Sequence, residues 1–387
     1  MGIDHLTGKS LRTLILLALV CLFLISAGIF QSGEALIGTI PEELSPGSPI
    51  SIILAVGEPV KKPDEPEDPL PLSGSVPAEA SSTRFFTAGQ LLPFSAVLLT
   101  DKNKKIQSAP FFYFDTIQHN GTVYTIGLAI LVIPNTYEGN QLFYKVLKDT
   151  SATAAELPFA FLSGTQQQPL TVKNRLFETE TIALGPENTD IKIKPDPRKN
   201  VEATELWKLL TTATAGLYTT GPFTVPVDSN RRTSYFGDRR LYQYANGTSE
   251  RTIHGGIDFA VPRGTIVRAT APGLVQMARF RIVTGNTVVL RHAPGVYSLY
   301  YHMDSLSVKE GALVDTGTEL GKSGSTGLST GPHLHWEFRI QGDFADPDLM
   351  VTAAPLDKDR ILGKILSLLG NSSTSVDKNA DRSTEGR

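Results

Sequence analysis

The stretch Pro332-His333-Leu334-His335-Trp336-Glu337-Phe338 alternates without a break. Leu334, Trp336 and Phe338 share one parity, and His333, His335 and Glu337 share the other. Side chains two apart on a strand project from the same face. The stretch therefore predicts a strand that buries a bulky apolar row and presents two imidazoles about 6–7 Å apart on its other side. Upstream stands His254-Gly255-Gly256-Ile257-Asp258. On a helix this spacing would put His254 and Asp258 on one face, but adjacent glycines disfavour a helix. A sharp turn running into a strand, with Asp258 near its start, is the better expectation. Between them lies Leu299-Tyr300-Tyr301-His302-Met303. Five of the seven histidines fall between His254 and His335.

Together His254, Asp258 and His335 offer two nitrogens and one oxygen, a set that suits zinc with a fourth position left for water. Cys21 is the only cysteine, so four-thiolate zinc sites and internal disulfides are excluded. Zinc held by three protein ligands lowers the pKa of its water and polarises a carbonyl. Hydrolysis also needs a proton acceptor and a group that steadies the oxyanion or the leaving amine. His302 and His333 remain for those duties, and imidazole has the right pKa range near pH 7. His292 ends an apolar run (Thr287-Val288-Val289-Leu290-Arg291) and is expected to be structural. His119 precedes Asn120-Gly121 and reads as a turn-flanking surface residue. The segment from Gly317 to Ser323 lacks the first glycine of a phosphate loop, since Thr316 stands there.

The rest of the 387 residues sets the frame. That length suggests two domains or three. Net charge is −3, which argues against a general nucleic-acid binder, but it is unevenly spread: −7 over 33–228 and +4 over 229–345. Residues 13–30 carry no charge and follow Lys9 and Arg12, so residues 1–35 read as a cleaved signal peptide or an uncleaved membrane anchor. Either way the bulk of the chain is exported, to the periplasm or the outer face of the cytoplasmic membrane. Short β segments are expected at 51–56, 96–100, 110–114, 122–133 and 141–147, with Phe177-Glu178-Thr179-Glu180-Thr181 and Asp190-Ile191-Lys192-Ile193-Lys194 as further strands. Residues 57–82, with six prolines, read as a solvated loop. The spacing predicts a β-sandwich accessory domain over 36–195, a linker with one helix (202–217) over 196–221, and a β-rich domain over 222–350. A docked helix (357–369) and a disordered tail complete 351–387.

The site stretches resemble the lysostaphin-type, or LytM-like, zinc metallopeptidases, the duplicated hybrid motif fold. The resemblance rests on Ser234-Tyr235-Phe236-Gly237-Asp238-Arg239, His254-Gly255-Gly256-Ile257-Asp258, Gly285-Asn286-Thr287-Val288-Val289, Leu299-Tyr300-Tyr301-His302, Gly324-Ser325-Thr326-Gly327 and Gly331-Pro332-His333-Leu334-His335. It spans roughly 222–350, and the preceding domain is more loosely similar to an immunoglobulin-like accessory domain. The fold class implied is mainly β, ending in an antiparallel β domain around a groove. The resemblance assigns His254, Asp258 and His335 to zinc and His302 and His333 to catalysis. It implies cleavage of peptide bonds in the stem or cross-bridge peptides of bacterial peptidoglycan. Some relatives have lost zinc ligands and activate cell-wall amidases instead; here all five positions are filled. A tyrosine assists the oxyanion in some members, and Tyr242 and Tyr244 stand nearest.

Overall fold

A computed structural model describes residues 35–40, 43–59, 87–148 and 168–380. The run at 13–30, most of the proline-rich segment 57–82 and the last seven residues lie outside them. Among the described residues no helix is long and apolar enough to cross a membrane.

Seven strands build the first sheet: β1 (Ala35–Ile40), β2 (Pro49–Pro59), β3 (Leu91–Thr100), β4 (Lys105–His119), β5 (Thr122–Val132), β6 (Gln141–Lys148) and β7 (Gln168–Thr171), in the order β1-β2-β5-β4-β3-β6-β7. All five expected strands fall on these, the one at 122–133 overrunning β5 by a residue. On β2 the even residues Ile50, Ile52, Leu54 and Val56 enter one apolar cluster. Ile53 and Ala55 enter another, shared with Ile257, Phe259 and Trp336 of the C-terminal region. A strand buried on both faces reads as a continuous apolar run, which is what residues 52–56 are. Seven of the described strands of 36–195 join one sheet that encloses an apolar cluster of its own, and the eighth, Thr179–Ala183, pairs elsewhere. One hydrogen-bonded path curls until its ends approach, where Leu44 bridges Val172. The other face packs against the C-terminal half, and Gln107 on β4 ties the two by donating to the Ile340 carbonyl (3.0 Å) and to Asp343 (2.7 Å).

Strand β8 (Thr179–Ala183) takes part of the alternating 177–181 stretch. Helix α1 (Pro186–Ile193) takes most of Asp190-Ile191-Lys192-Ile193-Lys194, which had read as a strand. Pro186 at the first helical position and Glu187 in the first turn favour a helix start, and they outweigh five residues of alternation. Helix α2 (Pro197–Thr211) begins five residues before the expected 202. Asp196 caps it, accepting from the Arg198 amide at 2.9 Å, and Pro197 follows. This helix is the one expected between 196 and 221, and it ends at Thr211 instead of 217.

Twelve strands follow: β9 (Arg232–Ser234), β10 (Arg239–Gln243), β11 (Ser249–Ile253), β12 (Gly256–Phe259), β13 (Ile266–Arg268), β14 (Gly273–Arg281), β15 (Gly285–Ala293), β16 (Val296–Leu306), β17 (Leu313–Val314), β18 (Glu319–Ser323), β19 (Leu334–Ile340) and β20 (Asp343–Ala345). Ten of them form one sheet whose spine is β17-β14-β15-β16-β19-β12-β9. β10 and β11 form a hairpin, joined on its other side by β8 running parallel to β10. Leu206 and Leu210 of α2 cover Met277, Val289, Tyr297, Leu299 and Tyr301 on one face of the large sheet.

Helix α3 (Pro347–Ala353) was not foreseen in the sequence. Helix α4 (Lys358–Ala380) buries Ile361, Ile365 and Leu369, as the apolar spacing predicts. It runs to residue 380, past the point where a disordered tail was expected.

Candidate metal centre

Four neighbouring strands carry the site as one row. Across β9, β12, β19 and β16 the register pairs Ser234 with Asp258, Asp258 with His335, and His335 with Tyr301. Directly opposed residues on adjacent strands stand close enough for their side chains to touch. The alternation of β19 puts Leu334, Trp336 and Phe338 wholly in the core, as expected. Gly256 opposes Glu337, one step along this row. A Cβ there would lie 2.2 Å from the Trp336 carbonyl oxygen, so only glycine lets β12 approach β19 so closely.

The three expected ligands converge. His254 Nε2 lies 3.1 Å from Asp258 Oδ1 and 3.0 Å from His335 Nδ1, and that nitrogen lies 2.8 Å from Asp258 Oδ1. Tetrahedral zinc with bonds of about 2.0–2.1 Å needs donors about 3.3 Å apart, so the triangle fits with small adjustment. The outer nitrogens fix the tautomers. His254 Nδ1 faces the Tyr235 carbonyl oxygen at 2.8 Å, which can only accept, so Nδ1 carries the proton and Nε2 the lone pair. His335 Nε2 donates to Glu337 Oε2 at 3.2 Å, which leaves Nδ1 as the inner donor. This is the hydrogen bonding that orients histidine ligands. The three residues are buried, and three lone pairs aimed at one buried point call for a cation.

Electrostatics agree. Burial alone would raise the Asp258 carboxyl, but His254 and His335 hold it well below the usual carboxylate range. Burial lowers His254. His335 goes the other way: burial pulls it down, and the bonds to Asp258 and Glu337 outweigh that and push it up to about 9. In the metal-free protein it shares a proton with the two carboxylates, and metal ligation displaces such protons.

His302 and His333 stand together beside this triangle, their rings 4.8 Å apart. His302 sits in the left-handed region (φ 59°), where β16 slips register against β15 and β18. Such backbone is uncommon outside glycine and clusters at functional sites. The slip lets consecutive residues face the same cleft: Tyr301 stacks on His335 at 5.2 Å, and His302 joins it. Each catalytic candidate anchors Nδ1 on a backbone carbonyl at 2.8 Å, His302 on Thr326 and His333 on Gly331. Their Nε2 atoms keep free lone pairs. Burial, then the neighbouring His333 and His335, lowers His302 to about 3, so it stays neutral.

The cleft holds about 240 Å³ and is lined by Asp258, Tyr301, His302, His333, His335 and Glu337, but not by His254. Thr284, Leu328 and Ser329 line it as well, as do Ile182, Leu184, Tyr242 and Thr252. Tyr242 therefore reaches the cleft, whereas Tyr244 is turned to Glu250 and does not line it. His292 is buried among Phe223 and Phe338 and bonded to the Pro272 carbonyl and Ser298, away from the cleft. His119 bonds Asn120 at a turn. Asp304 pairs with Arg263. Glu337, a candidate competing ligand by its sequence position, instead holds the outer nitrogen of His335, and one contributor was missed, Arg240, for which no local signal exists.

Residues 252–347 match the family model described as Peptidase family M23. DD-carboxypeptidase/endopeptidase Mpg of Neisseria meningitidis is 46% identical over 103 residues, 27% of this chain and 24% of that protein. Peptidoglycan DD-endopeptidase ShyA of Vibrio cholerae is 42% identical over 118 residues, 30% of this chain and 27% of that protein. The matches thus span about a quarter of these relatives' length. The crystal structure of a zinc-containing peptidase from Vibrio cholerae is 35% identical over 33% of this chain and 39% of that one, with a TM-score of 0.30. All five expected site residues lie inside the matched span, and residues 252–347 are the Peptidase family M23 domain of this chain.

Proposed function

We propose that this protein is a zinc metalloendopeptidase that cuts peptide bonds of bacterial peptidoglycan in the cell envelope. The observation that carries the reading is the convergence of two imidazole lone pairs and one carboxylate oxygen, beside two more imidazoles with free Nε2 atoms. His254, Asp258 and His335 would hold the metal. Zinc bound there supplies Lewis acidity, which polarises a peptide carbonyl and acidifies water. His302 and His333 then share the remaining work. An Nε2 lone pair accepts the proton of the attacking water, and the protonated ring donates to the oxyanion or returns the proton to the departing amine. Thr326 and Gly331 keep both rings aimed while this happens. The names of the relatives, peptidoglycan DD-endopeptidases among them, support peptidoglycan as the substrate class. The uncharged segment 13–30 supports export, by a cleaved signal or a retained anchor.

Incubation of the purified protein with peptidoglycan, with and without chelator, tests this by mass spectrometry of the released peptides. Chelator-sensitive fragments are expected, and they identify the bond. Zinc-loaded protein that leaves peptidoglycan intact overturns the reading.

A further inference from the structure

We propose that Arg240 is a positioning residue for the metal centre and that Glu180 is its charge partner, so that strand β8 completes the site from outside the span matching the family. The proposal rests on the zinc reading above. Asp258 has two carboxylate oxygens with different duties. Oδ1 faces His254 and His335, while Oδ2 accepts from Arg240 Nη2 at 2.7 Å. The guanidinium therefore sets the rotation of the carboxylate and commits it to ligation through one oxygen. Both side chains are about nine-tenths buried, at 11% and 10% exposure, so water competes little for this bond.

A bare guanidinium beside a dication would repel it. Glu180 answers that cost. Its Oε1 accepts from Arg240 Nε at 2.5 Å and from Ser234 Oγ at 2.9 Å. The parallel register of β8 and β10 sets Glu180 opposite Arg240, and Ser234 is the residue paired with Asp258 on β9. Arg240 and Glu180 together are neutral, so the pair orients Asp258 without opposing the metal charge. Only a planar fork serves two carboxylates in different directions; a lysine ammonium does not. Arg240 and Glu180 both lie outside 252–347.

The test compares the full chain with Arg240→Gln, Arg240→Lys and Glu180→Gln variants. Zinc affinity is read by competition with a chromophoric chelator, coordination by the absorption spectrum of the cobalt form, and folding by melting of the metal-free protein. Arg240→Gln is expected to weaken zinc about 10–100-fold and to alter the cobalt spectrum. Arg240→Lys retains charge but not the fork and weakens zinc less. Glu180→Gln weakens zinc while the cobalt spectrum stays close to wild type, since orientation survives and charge balance does not. Wild-type affinity and spectrum in these variants, with only a lower melting temperature, would overturn the proposal and leave a plain structural ion pair. Should Arg240→Gln not fold, the other two variants decide. Wild-type protein that binds no zinc sinks the proposed function and this inference with it, whereas wild-type binding with indifferent variants sinks this inference alone.

Discussion

His254 Nε2 and His335 Nδ1 stand 3.0 Å apart, and the second nitrogen of each ring is committed elsewhere, to the Tyr235 carbonyl and to Glu337. Two imidazole lone pairs facing each other across a buried carboxylate repel unless a proton or a metal lies between them. Zinc should therefore stabilise the folded protein. At free zinc 100 times the dissociation constant the gain is about 2.7 kcal/mol. Calorimetry should show this gain in the wild type and lose it in His254→Ala.

His302 and His333 anchor outside the triangle, so their loss should separate chemistry from metal binding. His302→Ala and His333→Ala should each lower kcat by about 10²–10⁴ with zinc content unchanged. His335→Ala should lose both. Zinc loss in His302→Ala would contradict the division of roles.

Glu337 holds His335 through Nε2 and is itself held by Arg339 at 2.6 Å. Burial would raise its carboxyl, and the Arg339 charge, with His335, keeps it below its ordinary value and ionised. Glu337→Gln keeps the shape but removes the charge that makes His335 a strong donor. Zinc affinity or activity should fall about 10–100-fold, measured by chelator competition alongside turnover. Unchanged values would reduce Glu337 to packing.

Gly256→Ala puts a methyl group 2.2 Å from the Trp336 carbonyl oxygen, between two paired strands that cannot both move. Urea unfolding should show a loss of at least about 1–3 kcal/mol. Zinc affinity should fall with it, since Asp258 and His335 lie on the strands forced apart. Full stability in this variant would mean that β12 and β19 are not so close.

His292 gives a pH dependence away from the metal. Burial outweighs the Pro272 hydrogen bond and lowers it to about 4. Between the ordinary imidazole value near 6.5 and about 4 the unfolded chain binds a proton that the folded chain refuses. Stability is then full above pH 6.5 and falls as pH drops, by about 3 kcal/mol at the acid end. Metal-free urea titrations from pH 7 to 4 should show the fall, and His292→Gln should make it shallower, with the share of His302 and His254 remaining. An equal slope in that variant would place the acid lability elsewhere.

The sequence by itself determined the pieces of the site. Alternation in Pro332-His333-Leu334-His335-Trp336-Glu337-Phe338 is a local property of a strand, and it sorted core from cleft before any neighbour was known. Spacing and resemblance picked out the five candidate residues, and the structure brings all five together. Most strands of the first sheet were legible too, because apolar runs bounded by turn formers need no partner to be recognised. Tertiary structure alone decided the rest. It packed one face of the first sheet on a cluster of its own and the other against the C-terminal half, since which faces meet depends on the whole chain. It turned His302 into the cleft through a register slip that no alternation encodes. It also brought Glu180 and Arg240, 60 positions apart, to Asp258 through parallel pairing of β8 with β10. A contact between distant strands is written in neither strand's own pattern. It exists only once loop closure and burial have chosen which edges pair.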